Sequence, residues 1–403
     1  MTAYGVRSRA GQRQFSGTTG WPYNDRMGQS PDVLVIGGGV IGLTSAYVLA
    51  KAGLAVEVHD RAALGQEASW AGAGIIPPGN PAGAATPIDR LRALSSAALP
   101  DFSAELHDLT GVDNGYRVCG GVEFLQAEEV RISDLWRQEG IPFEEVDARG
   151  LRDVEPAVAA GLGVPFVFPG YAQIRNPWHL RALTAACRAV GVRLVTGSGI
   201  ECWELSQGRI AGVRLASGDR LAAGHYLVAA GAWAEGLLHP LGCSTEVRPV
   251  RGQIVLLRTP GPVFDRVLMV GKRYLVPRGD GRVLVGSTEE PEAGYEKRTT
   301  AAAVAGLIAF ACSVVPALAG AEVEACWAGL RPGSPDGMPY IGPVPDHGSV
   351  LVAAGHFRAG LQLSLGTAEL VAALLLGREA FVPPGAFRPG RAPDLTVTQA
   401  FRS

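Results

Sequence analysis

DVLVIGGGVIGLTSAYVLAKAGLAVEVHD, residues 32–60, is the stretch whose reading decides the fold. Val33–Ile36 is a short apolar run of the kind a parallel strand buried on both faces shows. Gly37, Gly39 and Gly42 follow as G-x-G-x-x-G where that strand meets a helical pattern carried by Ile41, Tyr47, Val48 and Leu49. Gly53 suits the helix end, Ala55–Val58 reads as a second strand, and Asp60 closes it 18 residues after Gly42. Strand, helix, strand and acid in this order form a dinucleotide-binding fingerprint. Gly37 permits the tight turn, Gly39 lets backbone approach a pyrophosphate, and Gly42 lets helix and strand pack closely. The helix start offers free N–H groups and partial positive charge to phosphates. Asp60 can accept from a ribose 2′-OH and disfavours a 2′-phosphate.

The bulk numbers narrow the remaining classes. A chain of 403 residues predicts two or three domains. A net charge of −2 without a basic stripe argues against nucleic acid as a partner. Cys119, Cys187, Cys202, Cys243, Cys312 and Cys326 are scattered without C-x-x-C or Cys/His clustering, so they read as reduced, and no metal site is predicted. Residues 301–321 carry no charge, but their Ala and Gly content and Pro316 favour a buried Ala-rich helix over a membrane span.

Residues 1–31 are polar and Gly/Ser/Arg-rich, with no apolar run that would make a secretory signal. A disordered leader and a transit peptide both fit this composition. Met27 stands just before the first strand and is read as the natural start, with residues 1–26 dispensable. The chain is expected to be cytoplasmic.

Further along, Leu64–Gly79 is dense in small residues that let backbone pass close to a large flat ligand, and Ser69 could donate to a phosphate. A helix is expected over Leu91–Leu109 and an amphipathic one over Pro177–Val190, followed by a strand at Val192–Val195. Ile200–Leu205, Ile210–Leu215 and His225–Ala229 read as a β-meander. The last of these runs into Ala230-Gly231-Ala232-Trp233, where small residues let a ligand sit against a strand end. Val247–Arg258, Tyr274–Pro277 and Val283–Gly286 make a second strand block, with a hairpin turn at Gly279-Asp280-Gly281. Cys326–Gly342 reads as a Gly/Pro-rich loop with Arg331 in its middle. Val350–Ala354 reads as a buried strand, Gly366–Leu376 as a closing helix and residues 383–403 as a tail with little order.

GGGVIG, ASWAGAG, VAAGAW, RYLVPR, WAGLRPGSPDGMPYIG and AAGHFRAG together carry a resemblance over residues 32–378. The chain resembles the FAD-dependent amino-acid oxidases of the D-amino-acid-oxidase-like family, and within it the glycine oxidases of thiazole biosynthesis. The last two motifs are the most specific, because their charged residues sit where packing does not require them. The resemblance implies an α/β fold: a discontinuous Rossmann-like FAD-binding domain plus an α+β substrate domain with an antiparallel sheet. The segments would be a leader at 1–31, cofactor segments at 32–84, 168–236 and 325–380, substrate segments at 85–167 and 237–324, and a tail at 381–403.

The resemblance also assigns residues. Non-covalent FAD would lie along the first βαβ unit, with Val40 and Ile41 at the pyrophosphate and Asp60 on the ribose. Arg61, Ala68 and Ser69 would line that path, and Ala73, Gly74 and Ile75 would approach the flavin. Ile200 would meet the adenine side, while His356, Phe357, Arg358, Ala359, Gly360, Leu361 and Gln362 would wrap the far edge of the ring. An amino-acid substrate brings a carboxylate into an enclosed site, where an unpaired anion is prohibitively costly. A bidentate arginine is the natural answer, and Arg331 matches the family's clamp. Tyr274 would add a hydroxyl, and Arg358 matches a second arginine near substrate and flavin.

The implied reaction moves a hydride from Cα of glycine or another small amine to flavin N5. The resulting imine is hydrolysed to an α-keto acid and ammonia, and O₂ or another electron acceptor reoxidises the flavin. A D-amino-acid or secondary-amine dehydrogenase with a non-oxygen acceptor is the alternative. The resemblance allows a thiazole synthase as recipient of the imine and leaves a homo-oligomer open. Lys272 stands where glycine oxidases carry histidine, Ala359 replaces asparagine, and Trp70 replaces a small residue. Neither a lysine near Leu284 nor a flavin-linking cysteine near Gly329, the marks of sarcosine oxidases, is present.

Overall fold

The computed structural model describes residues 30–396 and 401. The expectations for the leader and for Met27 fall almost wholly outside them.

Val33–Ile36 lies inside a six-stranded sheet whose order is Tyr340–Val344, His347–Ala354, His225–Val228, Val33–Ile36, Val56–His59, Arg193–Val195. All neighbours are parallel except the first pair, which forms an antiparallel hairpin. Both faces of Val33–Ile36 are covered, which is why all four residues are apolar and buried. One face carries the helices Val40–Lys51, Asn176–Ala189, Pro87–Thr110 and Gly360–Leu375. Trp203 and Val213 of a small three-stranded sheet, with Ala234 and Leu238 of a short helix, pack on the other. Thr86 caps the long Pro87–Thr110 helix by accepting from the Asp89 N–H at 3.1 Å, and Gly111 ends it in a left-handed conformation.

A second, eight-stranded sheet has the order Glu322–Gly333, Arg248–Arg258, Arg282–Gly286, Arg273–Pro277, Val267–Val270, Gly121–Leu125, Val164–Phe168, Glu144–Glu145. It is antiparallel except between Val267–Val270 and Gly121–Leu125.

Four expectations are corrected here. His225–Val228 does not complete a meander: Arg220–Leu221 is the third strand there, and the fully apolar Tyr226–Val228 run joins the parallel sheet, where both its faces are covered. Cys326–Gly333 is no loop but part of the long edge strand Glu322–Gly333, where Pro332 is tolerated because an edge strand has one unpaired side. The Ala-rich helix Ala301–Val314 buries only Leu307, Ala311 and Val314, one stripe at helical spacing laid on the eight-stranded sheet. The tail beyond 383 also packs. Phe387 and Phe401 are both buried, the latter stacked on Trp136 at 5.8 Å, and Arg391 pairs with Asp336. Among the described residues no helix is long and apolar enough to cross a membrane.

Candidate functional site

A cavity of about 500 Å³ runs from the carboxyl ends of the parallel strands to the face of the eight-stranded sheet. Of the residues assigned from sequence to cofactor or substrate, all but Gly42 line it.

The strand-to-helix turn forms one end. Gly37 has φ +111°, and its N–H donates to the His59 carbonyl at 2.8 Å. Gly42 lies beneath the turn: a Cβ there would stand 1.9 Å from the Gly37 carbonyl oxygen. Above it, Gly39, Val40 and Ile41 open onto the cavity, and Val40's N–H donates to Ser69 Oγ at 2.9 Å. Ser69 therefore accepts from the helix start and keeps its own proton for a ligand. The helix start carries no acidic side chain in its first turn, as a phosphate site requires.

Asp60 stands at the end of the neighbouring strand. Its carboxylate accepts from the Gly38 and Ala62 N–H groups, each at 2.8 Å. A carboxylate has about four lone-pair directions, so acceptor capacity remains for a ribose. Asp60→Ala is expected to weaken FAD binding about tenfold or more, the scale of a lost charged hydrogen bond. At saturating FAD the KM for substrate should stay put. Titration of apoprotein checks the first, and a KM shift as large as the loss of FAD affinity would contradict the assignment. Ile200, Ser198 and Gly199 wall the same end. Arg61 stacks on the Trp233 ring at 3.7 Å, just after Gly231 with its φ of +54°.

The middle of the cavity is the ASWAGAG segment. Ala68 and Ser69 open a short helix, and Ala73, Gly74 and Ile75 continue along the wall. Opposite them lie His356–Gln362, which lead from the strand His347–Ala354 into the helix Gly360–Leu375. His356 is fully enclosed, with Nε2 3.0 Å from Thr367 Oγ1, and burial pushes its pKa down to about 3, so it is neutral. Phe357 takes φ +45° and donates its N–H to the Pro332 carbonyl at 3.0 Å, tying this segment to the strand that carries Arg331.

The far end is built by sheet register. Trp327, Ile254, Gly286, Tyr274 and Met269 follow one another across five strands, and Gly329 pairs with Gly252 in the next same-face row. Period-two alternation puts Arg331, two residues beyond Gly329, on that face as well. Its guanidinium lies flat over Gly252, where a Cβ would stand 2.1 Å from Nη1, and the Tyr274 ring lies over Gly286 in the same way. Nη1 donates to the Thr288 carbonyl at 3.2 Å and Nη2 to Ser287 Oγ. Among the described residues no carboxylate stands within ion-pair distance of Arg331. Burial pushes its pKa down, while Tyr274 and the more distant Glu289 pull it back.

Arg358 closes the mouth. It pairs with Glu289 and donates to the Lys272 carbonyl at 3.4 Å, while Lys272 Nζ reaches Glu289 at 3.1 Å. Burial alone would raise the Glu289 carboxyl, but Arg358 and Lys272 outweigh it and hold it below the usual carboxylate range. Lys272 itself points to solvent, and Trp70 packs edge-on against Trp327 at 5.4 Å; neither lines the cavity.

Sequence reasoning missed several members. Gly252 and Ser287 lie against the Arg331 guanidinium, and Asn176, Glu67 and Glu201 also line the cavity. Asn176 was legible only as the first residue of a helix ahead of Pro177. Gly252 and Ser287 carry no signal without the strand register.

The cavity fits an extended cofactor, with a phosphate-ready helix start at one end and space lined by Ala73–Ile75 and His356–Gln362 in its middle. Comparison with known proteins agrees. The family model described as FAD dependent oxidoreductase matches residues 32–374. A glycine oxidase of Pseudomonas putida is 38% identical over 362 residues, covering 89% of this chain and 98% of that protein. The crystal structure of glycine oxidase from Geobacillus kaustophilus superposes with a TM-score of 0.85 at 31% identity, covering 91% of this chain and all of that one. A bifunctional protein ThiO/ThiG of Trichormus variabilis is 32% identical over 85% of this chain, which spans 52% of it. The chain belongs to the D-amino-acid-oxidase-like family of FAD-dependent oxidoreductases, and FAD is its cofactor.

Proposed function

We propose that the protein oxidises glycine or a similarly small amino acid at Cα, giving an imine that water converts to an α-keto acid and ammonia. The observation that carries this reading is Arg331: a half-buried guanidinium at the cavity wall, without a carboxylate partner among the described residues and with Tyr274 beside it. A cation largely withdrawn from water in that state calls for an anionic ligand.

Bound FAD supplies the hydride acceptor. The chain's residues do the positioning. Arg331 and Tyr274 hold the substrate carboxylate, which aims Cα at the space beside Gly74 and Ile75. Arg358 guards the same space, its charge partly offset by Glu289. Two guanidiniums near the substrate amine disfavour its ammonium form, because like charges lower the pKa of a cation. The amine thus loses its proton without a dedicated base, and its lone pair can assist hydride departure. Ile254, Met269 and the Tyr274 ring bound the space at Cα and favour a small side chain.

O₂ is the proposed electron acceptor, with H₂O₂ as product. A thiazole synthase, covalently joined in the ThiO/ThiG relatives, is a proposed recipient of the imine from this chain. The test is one screen on purified holoprotein: glycine, sarcosine and small D-amino acids, each assayed in air for H₂O₂ and anaerobically for dye reduction. Glycine-dependent H₂O₂ is expected. Dye reduction without H₂O₂ would replace the oxidase by a dehydrogenase, and silence with every amine would remove the reading.

A further inference from the structure

RYLVPR ends in an arginine that the clamp does not use. Arg278 lies four residues beyond Tyr274, so alternation keeps it on the cavity side of the sheet. There it meets the back of the ASWAGAG segment. Three alternate carbonyls of that segment are held by side chains of three different elements. Asn176 Nδ2 donates to the Ser69 carbonyl at 2.7 Å, Trp327 Nε1 to that of Ala71 at 3.1 Å, and Arg278 Nη2 to that of Ala73 at 2.7 Å.

Of the three, Arg278 alone is charged. Its other acceptors are Gln173 Oε1 at 2.9 Å and the Ile174 carbonyl at 3.2 Å, so every oxygen it touches is neutral. The nearby Asp280 is committed to Arg175 at 2.7 Å and Arg282 at 3.4 Å. Burial, and secondarily Arg175, pushes the Arg278 guanidinium down to about 9, which leaves it cationic at neutral pH. In a trans peptide C=O and N–H point in opposite directions. With the Ala73 carbonyl drawn onto Arg278, the Gly74 N–H must point away from it; Gly74 lines the cavity, and among the described residues its N–H has no acceptor. A cation on the carbonyl end polarises the peptide and strengthens its N–H as a donor.

We propose that Arg278 is a positioning residue that fixes and polarises the Ala73–Gly74 peptide, so that Gly74 presents a strengthened N–H to the isoalloxazine ring and the enclosed charge favours electron uptake by that ring. The inference rests on the reading that the ring lies against Ala73–Ile75.

The test compares wild-type, Arg278→Met and Arg278→Lys holoproteins in three readouts: flavin midpoint potential, flavin visible spectrum, and kcat against KM. Arg278→Met should bring a more negative potential and an altered spectrum. Its kcat should fall about tenfold or more while KM stays within about threefold, since loss of a preorganised donor is felt in the reaction step. Arg278→Lys keeps the charge but lacks the planar fork, so its potential should lie between the two, with kcat still reduced. A Met variant with wild-type potential and spectrum would overturn the proposal, even if it melted at lower temperature. If the Met variant does not fold, the Lys variant decides: wild-type values of potential, spectrum and kcat overturn the proposal. Failure of the wild type to bind FAD, or to be reduced by any amine, would instead remove the reading beneath it.

Discussion

Arg331→Ala is expected to raise KM for the amino-acid substrate at least about 30-fold, with FAD content unchanged. Removing one partner of an enclosed charge-assisted pair costs roughly 2–5 kcal/mol, which spans about 30-fold to a few thousand-fold. Tyr274 cannot compensate, because a hydroxyl supplies no charge, and Arg358 is held by Glu289 and the Lys272 carbonyl. The space left above Gly252 would admit water, which solvates a carboxylate without orienting it, so kcat should fall as well. Steady-state kinetics and the flavin absorbance of the purified variant check both halves. A variant with wild-type KM would mean that the carboxylate is bound elsewhere.

Gly42→Ala is expected to cost the cofactor itself. The added methyl would stand 1.9 Å from the Gly37 carbonyl oxygen, a backbone atom that cannot swing aside as a side chain tip would. The helix start must therefore move away from the strand, and with it the Val40 N–H and its hold on Ser69. Overpacking of this kind costs about 1–3 kcal/mol. The damage falls on the turn that faces the phosphates. Purified Gly42→Ala should carry much less FAD per chain and unfold at lower temperature, while added FAD should recover part of the loss. Full FAD occupancy after ordinary purification would show that the turn yields without consequence.

How far the sequence led depended on whether the signal was local. The first βαβ unit was legible because its turn, strand and acid lie within 29 residues, and Gly37 and Gly42 each answer to a backbone atom that a Cβ would strike. Arg331 was singled out by its chemistry and does line the cavity, but it was expected on a loop and stands on a strand. Gly and Pro mark loops in most contexts, and only the pairing of Glu322–Gly333 with Arg248–Arg258 explains why a strand there tolerates both. His225–Val228 was misplaced for a similar reason: nearness in sequence suggested a hairpin, while its apolar run required cover on both faces. The Ala-rich helix misled because alanine is equally at home in a core and on a surface. Arg278 gave no warning, since its role depends on backbone carbonyls from two distant segments.

The order of the parallel sheet bears on how the protein is made. Val33–Ile36 pairs with His225–Val228, which in turn pairs with His347–Ala354, and the latter opens into the cofactor-lining residues 356–362. The fingerprint near the start of the chain therefore emerges from the ribosome long before the strands that must flank it. At about 5–20 residues per second, translation leaves that first unit without its neighbours for tens of seconds. Until residues beyond 340 arrive, the nascent chain exposes an apolar strand edge and holds only half a flavin pocket. Its yield in a cell should then depend on chaperones that cover such edges during synthesis, and FAD can be captured only once residues 356–362 have been made.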